Sequence, residues 1–82
     1  MSLIFHSDNI NDFLDFISMA KKNARKQQLC EAYELKNDYF LVIPGEDEMI
    51  NHLVEEYGER TRNVSHEWLM EHGKNLGKVY LQ

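Results

Sequence analysis

A single cysteine, Cys30, leaves no second thiol for an internal disulfide, so packing alone must hold the fold, as suits a reducing compartment. Cys30 sits in an apolar-leaning segment, which points to a buried structural thiol and away from a reactive one. With one proline, Pro44, the chain has one fixed break. The glycines at 45, 58, 73 and 77 are scattered and build no loop of the kind that cradles phosphate. No apolar run reaches the ~18 residues that a bilayer span requires. Met1-Ser2-Leu3 lacks the basic segment and apolar stretch of a secretory signal, so the expectation is a cytoplasmic protein without a membrane partner.

Positive charge is also scarce. Nine Lys and Arg stand against fourteen Asp and Glu, a net charge of −5, which disfavours a phosphate backbone as partner. Lys21, Lys22, Arg25 and Lys26 form the one basic cluster. They fall where a helix should end, where cations offset the negative pole of its dipole. What remains is ordinary for a folded chain: 43% apolar and 28% charged residues over 82 positions. That is enough for a single domain, residues 1–82, with a thin core.

Leu3-Ile4-Phe5-His6 reads as a short strand, ended by the helix-starting residues Ser7-Asp8-Asn9. Ile10, Phe13, Leu14, Ile17 and Ala20 then follow helical spacing over about residues 9–24, with Asn11, Asp12, Asp15 and Ser18 on the outer face. Two β-like stretches, 29–36 and 39–43, flank Asn37-Asp38, a pair suited to a tight hairpin turn. With that turn, Leu35 faces Phe40, Tyr33 faces Val42, Glu34 faces Leu41 and Ala32 faces Ile43. The face with Tyr33, Leu35, Phe40 and Val42 is the more uniformly apolar and should lie against the helices. The face with Tyr39, Leu41 and Ile43 is either covered by the end of the chain or free to meet a partner.

Pro44-Gly45 stops the strand, and Glu46-Asp47-Glu48 starts a second helix. Met49, Ile50, Leu53, Val54 and Tyr57 make its apolar stripe, and Gly58 is expected to end it in a left-handed conformation. Residues 59–63 are polar. Ser65 and Gly73 bracket a further short helix in which Val64, Trp68, Leu69 and His72 share a face, although the alternation of Val64, His66, Trp68 and Met70 also fits a strand. Lys78-Val79-Tyr80-Leu81 completes an expected order of β-α-β-β-α-(α)-β. The fold class is α+β, a small antiparallel sheet packed by two or three helices in a two-layer sandwich.

The spacings offer little chemistry. There is no His-Glu-x-x-His, no paired Cys-x-x-Cys and no calcium-type Asp loop, so no metal, cofactor or catalytic residue is assigned. The nearest approach to a site is His52 with Glu48, Glu55 and Glu56 on one face of the second helix. These carboxylates have no cation four residues on, and leave an acidic strip that is either simply solvated or a dock for a basic partner. Trp68 is either core or an interface anchor. The candidate partner-binding residues are therefore Glu48, His52, Glu55, Glu56 and Trp68.

Several strings, taken in order, resemble the C-terminal domain of the MecA-type adaptor proteins, which in bacteria deliver substrates to a ClpC-type AAA+ unfoldase. They are Phe5 to Ala20 with Asn11-Asp12-Phe13-Leu14, then Ala32-Tyr33-Glu34-Leu35-Lys36-Asn37-Asp38-Tyr39-Phe40-Leu41-Val42-Ile43. Glu55-Glu56-Tyr57-Gly58 and Trp68-Leu69-Met70-Glu71-His72-Gly73-Lys74 complete the series. The resemblance implies an α+β sandwich that binds the N-terminal and middle regions of the unfoldase and promotes its assembly into an active ring, without enzymatic activity of its own. The family's separate substrate-capturing N-terminal domain has no counterpart in this sequence. The alternative is a self-associating, ferredoxin-like regulatory or ligand-sensing domain, for which β-α-β-β-α-β is a compatible order and a homodimer the natural state. A third reading is an enzyme subunit with a pocket at which His52 and carboxylates converge.

Overall fold

In the computed structural model, which describes residues 2–58 and 64–82, seven elements follow one another: β1 (Leu3–Ser7), α1 (Ile10–Asn23), β2 (Gln28–Leu35), β3 (Asp38–Ile43), α2 (Glu48–Tyr57), α3 (His66–His72) and β4 (Lys74–Leu81). The class is α+β, in the expected order. The polar run at 59–63 lies outside the described residues. The four strands pair antiparallel in the order β1-β3-β2-β4. A ferredoxin-like sheet would bring its last strand beside its first, whereas here β4 adds to β2 and β1 forms the opposite edge.

Local signals explain the helix boundaries. The Asn9 side chain accepts from the backbone N–H of Asn11 and Asp12, at 2.9 and 3.1 Å, and Ser65 Oγ accepts from Trp68 N–H at 3.1 Å. Such caps satisfy donors that the first turn leaves orphaned. Residues 66–72 are thus helical, and the strand reading of that segment falls away. Gly58 and Gly73 end their helices, but not in the expected left-handed form: φ is −80° and −93°. Their lack of a side chain matters through close approach. A Cβ at Gly58 would lie 2.6 Å from the Val54 carbonyl oxygen, and one at Gly73 2.9 Å from that of Leu69. Each glycine can thereby turn outward while its N–H still closes on that carbonyl at 2.8 Å.

The helices α1 and α2 form a layer over one face of the sheet, and the short α3 covers part of the other. Under α1 and α2 lie Phe5, Cys30, Ala32, Leu41 and Ile43, with Phe13, Phe16, Ile50, Leu53 and Val54 from the helices. On the opposite face Tyr33, Phe40 and Val42 pack against Leu69 of α3. This reverses the expected sides: the Leu41–Ile43 face meets the main helical layer. The small Cys30 and Ala32 on that face leave room for bulky helix side chains, whereas the large Tyr33 and Phe40 rings fill the space beneath one short helix. With both faces covered, β3 reads as the unbroken apolar run Tyr39 to Ile43. Cys30 is buried, and burial pushes its thiol up to about 11, so it packs as a small apolar group.

Two further expectations change. The buried stripe of α1 is Phe13, Phe16 and Ala20, while Ile10 and Leu14 remain 41% and 52% exposed. The spacing allowed either face; the rotation adopted puts both phenylalanines inside, Phe16 stacking on Phe5 with centroids 3.8 Å apart. Aromatic rings carry the larger burial gain and decide it. The hairpin also turns one residue earlier than expected, at Lys36-Asn37, which shifts the pairing register by two. Leu35 pairs with Asp38, Tyr33 with Phe40 and Ala32 with Leu41, and Lys36 takes φ 58°. A left-handed lysine costs about 1 kcal/mol, offset by bringing Asp38 Oδ1 to 2.9 Å from His6 Nε2 on β1. A shift of two preserves which face each side chain occupies.

Candidate functional site

The entry to α2 is built from buried polar groups. Asp47, 1% exposed, accepts through Oδ2 from the backbone N–H of Arg25 and Lys26 at 2.6 and 2.9 Å, and through Oδ1 from Met49 N–H at 3.0 Å. Buried Gln28 accepts through Oε1 from Gly45 and Glu46 N–H, each at 3.2 Å. Asn51 Nδ2 donates to the Gly45 carbonyl at 2.9 Å. One carboxylate thereby ties the start of α2 to the α1–β2 connection. Burial alone would favour the neutral acid, but the backbone N–H groups of Lys26, Arg25, Met49 and Ile50 outweigh it and hold Asp47 below the usual carboxylate range.

Anchored there, α2 turns Ile50, Leu53 and Val54 inward and leaves Glu48, His52, Glu55 and Glu56 exposed. His52 Nε2 stands 3.7 Å from Glu56 Oε2, one turn away. Among the described residues the ion pairs all join histidine to a carboxylate, so neither Glu48 nor Glu55 has a Lys or Arg partner there. The last turn of α2 contains no basic residue, while Glu48 lies in its first. Four of the five candidate residues are thus brought together as one acidic face. Trp68 is not part of it. It lies on α3, across the sheet, partly buried beside the Tyr33–Phe40–Val42–Leu69 cluster and stacked on His72 at 4.6 Å.

A second polar cluster was not visible in the spacings. Tyr33 Oη donates to Glu31 Oε2 at 2.6 Å. Asn75 Nδ2 donates to the same oxygen at 3.3 Å. His66 Nε2 lies 3.3 Å from Tyr33 Oη and 3.7 Å from Glu31 Oε2. The Tyr33 hydrogen bond, working against burial and helped by His66 and Lys78, holds Glu31 below the ordinary carboxylate range. Burial, followed by the bond to Glu31, pushes the Tyr33 phenol up to about 12. Acid–base work needs groups that titrate near the working pH; these two are driven away from it in opposite directions. The cluster acts as a tie joining β2, α3 and β4. The only sequence signal for it was Glu31, two residues before Tyr33 on a face of β2 that is otherwise Leu29, Tyr33 and Leu35.

Replacing Tyr33 by Phe should therefore raise the Glu31 titration toward its ordinary value, as followed by the carboxyl ¹³C shift. An unmoved midpoint would remove Tyr33 as the principal cause.

Among the described residues, no group of three or more His, Cys, Asp or Glu side chains is placed to hold a metal ion, and no helix is long and apolar enough to cross a membrane. Comparison with protein-family models, with curated proteins and with solved structures returned no match.

Proposed function

We propose that this chain is a protein-interaction domain of adaptor type that docks on a ClpC-type AAA+ unfoldase and promotes its assembly. The observation that carries the reading is the outer face of α2, where Glu48, Glu55 and Glu56 are exposed, without Lys or Arg partners among the described residues, on a helix anchored at its start by Asp47. A rigid like-charged face attracts and orients a basic partner before contact. The ordered series of strings similar to the MecA-type family supplies the identity of that partner.

Calorimetric titration against a ClpC-type unfoldase is expected to show binding in the micromolar range, together with a raised ATPase rate. Silence at tens of micromolar in both readouts would end the proposal. Reversing Glu48, Glu55 and Glu56 to Lys together should lower the association rate about tenfold at low salt, with a smaller effect at high salt and an unchanged fold. An unaltered rate at low salt would remove the α2 face from the interface. Light scattering separates this reading from the self-associating alternative: a monomer is expected, and a stable dimer with a sheet edge buried would favour the rival.

A further inference from the structure

Between α1, β1 and the last turn of α2 runs a groove of about 320 Å³. Phe5 and Phe16, 2% and 3% exposed, close its base with their rings stacked 10° from parallel, and Met19 adds apolar surface beside the polar His6 and Ser7 of β1, which also line it. Its rim is acidic. Asp12 and Asp15 stand one turn apart on α1, and Tyr57, in the same turn as Glu55 and Glu56, closes the α2 side. Neither Asp12 nor Asp15 has a Lys or Arg partner among the described residues.

That combination selects its occupant. A purely apolar ligand would strip water from two carboxylates and give them nothing in return. An anionic one would be repelled from both helices. An apolar group carried next to cations satisfies floor and rim together. Exposed ion pairs alone hold a partner weakly, whereas a side chain seated in a preformed pocket is what dominates an interface.

We propose that this groove receives an apolar side chain from a basic peptide segment of the partner, with flanking Lys or Arg residues meeting Asp12, Asp15 and the acidic end of α2. This deepens the docking reading above and rests on it: the α2 face attracts, and the groove anchors.

The test is a ¹H–¹⁵N shift titration of the labelled chain with three end-blocked pentapeptides: Lys-Lys-Phe-Lys-Lys, the same with serine at the centre, and Glu-Glu-Phe-Glu-Glu. The first should shift the amides of Phe5, Asp15, Phe16 and Met19 and bind about tenfold more tightly than the serine peptide. The glutamate peptide should leave them unmoved. The surface pair Asp12→Asn with Asp15→Asn should weaken the first peptide about fivefold. Equal binding of the Phe and Ser peptides, or shifts confined to the 48–56 face, would overturn the groove as an anchor. An unfoldase that binds a chain whose groove ignores all three peptides sinks this inference alone. Groove shifts without unfoldase binding uphold the site and sink the ClpC reading alone.

Discussion

Replacing Asp47 by Ala is expected to cost about 3 kcal/mol of folding stability, because three partly buried backbone N–H groups lose a charged acceptor. In a domain of this size that corresponds to a melting temperature lower by roughly 15 °C. The loss should not stay local. Asp47 joins the α1–β2 connection to the start of α2, so its removal loosens the helix that carries Glu48, Glu55 and Glu56. The pH dependence follows from the direction of its shift. The folded carboxyl lies below its usual range, so its contribution is complete above the unfolded value of about 3.9 and drains away as pH falls through the folded one. Asp47→Asn keeps the shape and one acceptor oxygen. It should lose stability at neutral pH yet show a shallower acid limb than the parent. Urea unfolding from about pH 6 down to about pH 2.5 checks this; parallel curves for parent and variant would show that Asp47 does not govern acid sensitivity.

Leu69→Ala should cost a comparable amount, about 3 kcal/mol, by opening a cavity where the fully buried leucine meets Tyr33, Phe40 and Val42. Its consequence differs in kind. α3 spans seven residues, well below the ~12–15 at which an isolated helix begins to hold in water, so it persists by docking through Leu69. The variant should release α3 while the α1–α2 side of the sheet stays folded. Trp68 emission should shift to the red at a lower urea concentration than the loss of sheet and helix signal, and α3 amides should exchange first. Leu69→Met, which nearly conserves volume, should cost less than about 1.5 kcal/mol. Coincident transitions in Leu69→Ala would show that α3 is part of one cooperative unit.

Both predictions concern residues whose importance the spacings did not announce, and the reason is physical. Asp47 reads in sequence as one of three acids at a helix start; that it also accepts from Arg25 and Lys26 depends on a contact across 22 and 21 positions. The Glu31–Tyr33–His66–Asn75 tie spans separations of 33 and 44. The acidic face was readable because its members are three or four apart on one helix and need nothing from elsewhere to lie together. Trp68 was equally visible, yet its place across the sheet from that face depends on which side α3 docks.

The sequence by itself determined the α+β class, the element order apart from the choice of helix or strand at 64–70, the helix starts near Asn9 and Asp47, the cap at Ser65 and the acidic face of α2, because each rests on interactions within one or two turns of chain. Tertiary structure alone decided the rotation of α1 that buries Phe16 and exposes Leu14, the turn at Lys36, the side of the sheet each helix covers and the placing of β4 beside β2. In each of these cases the choice falls to contacts between distant segments: large side chains filling a common space for the helices and the sheet, and the His6–Asp38 contact for the turn.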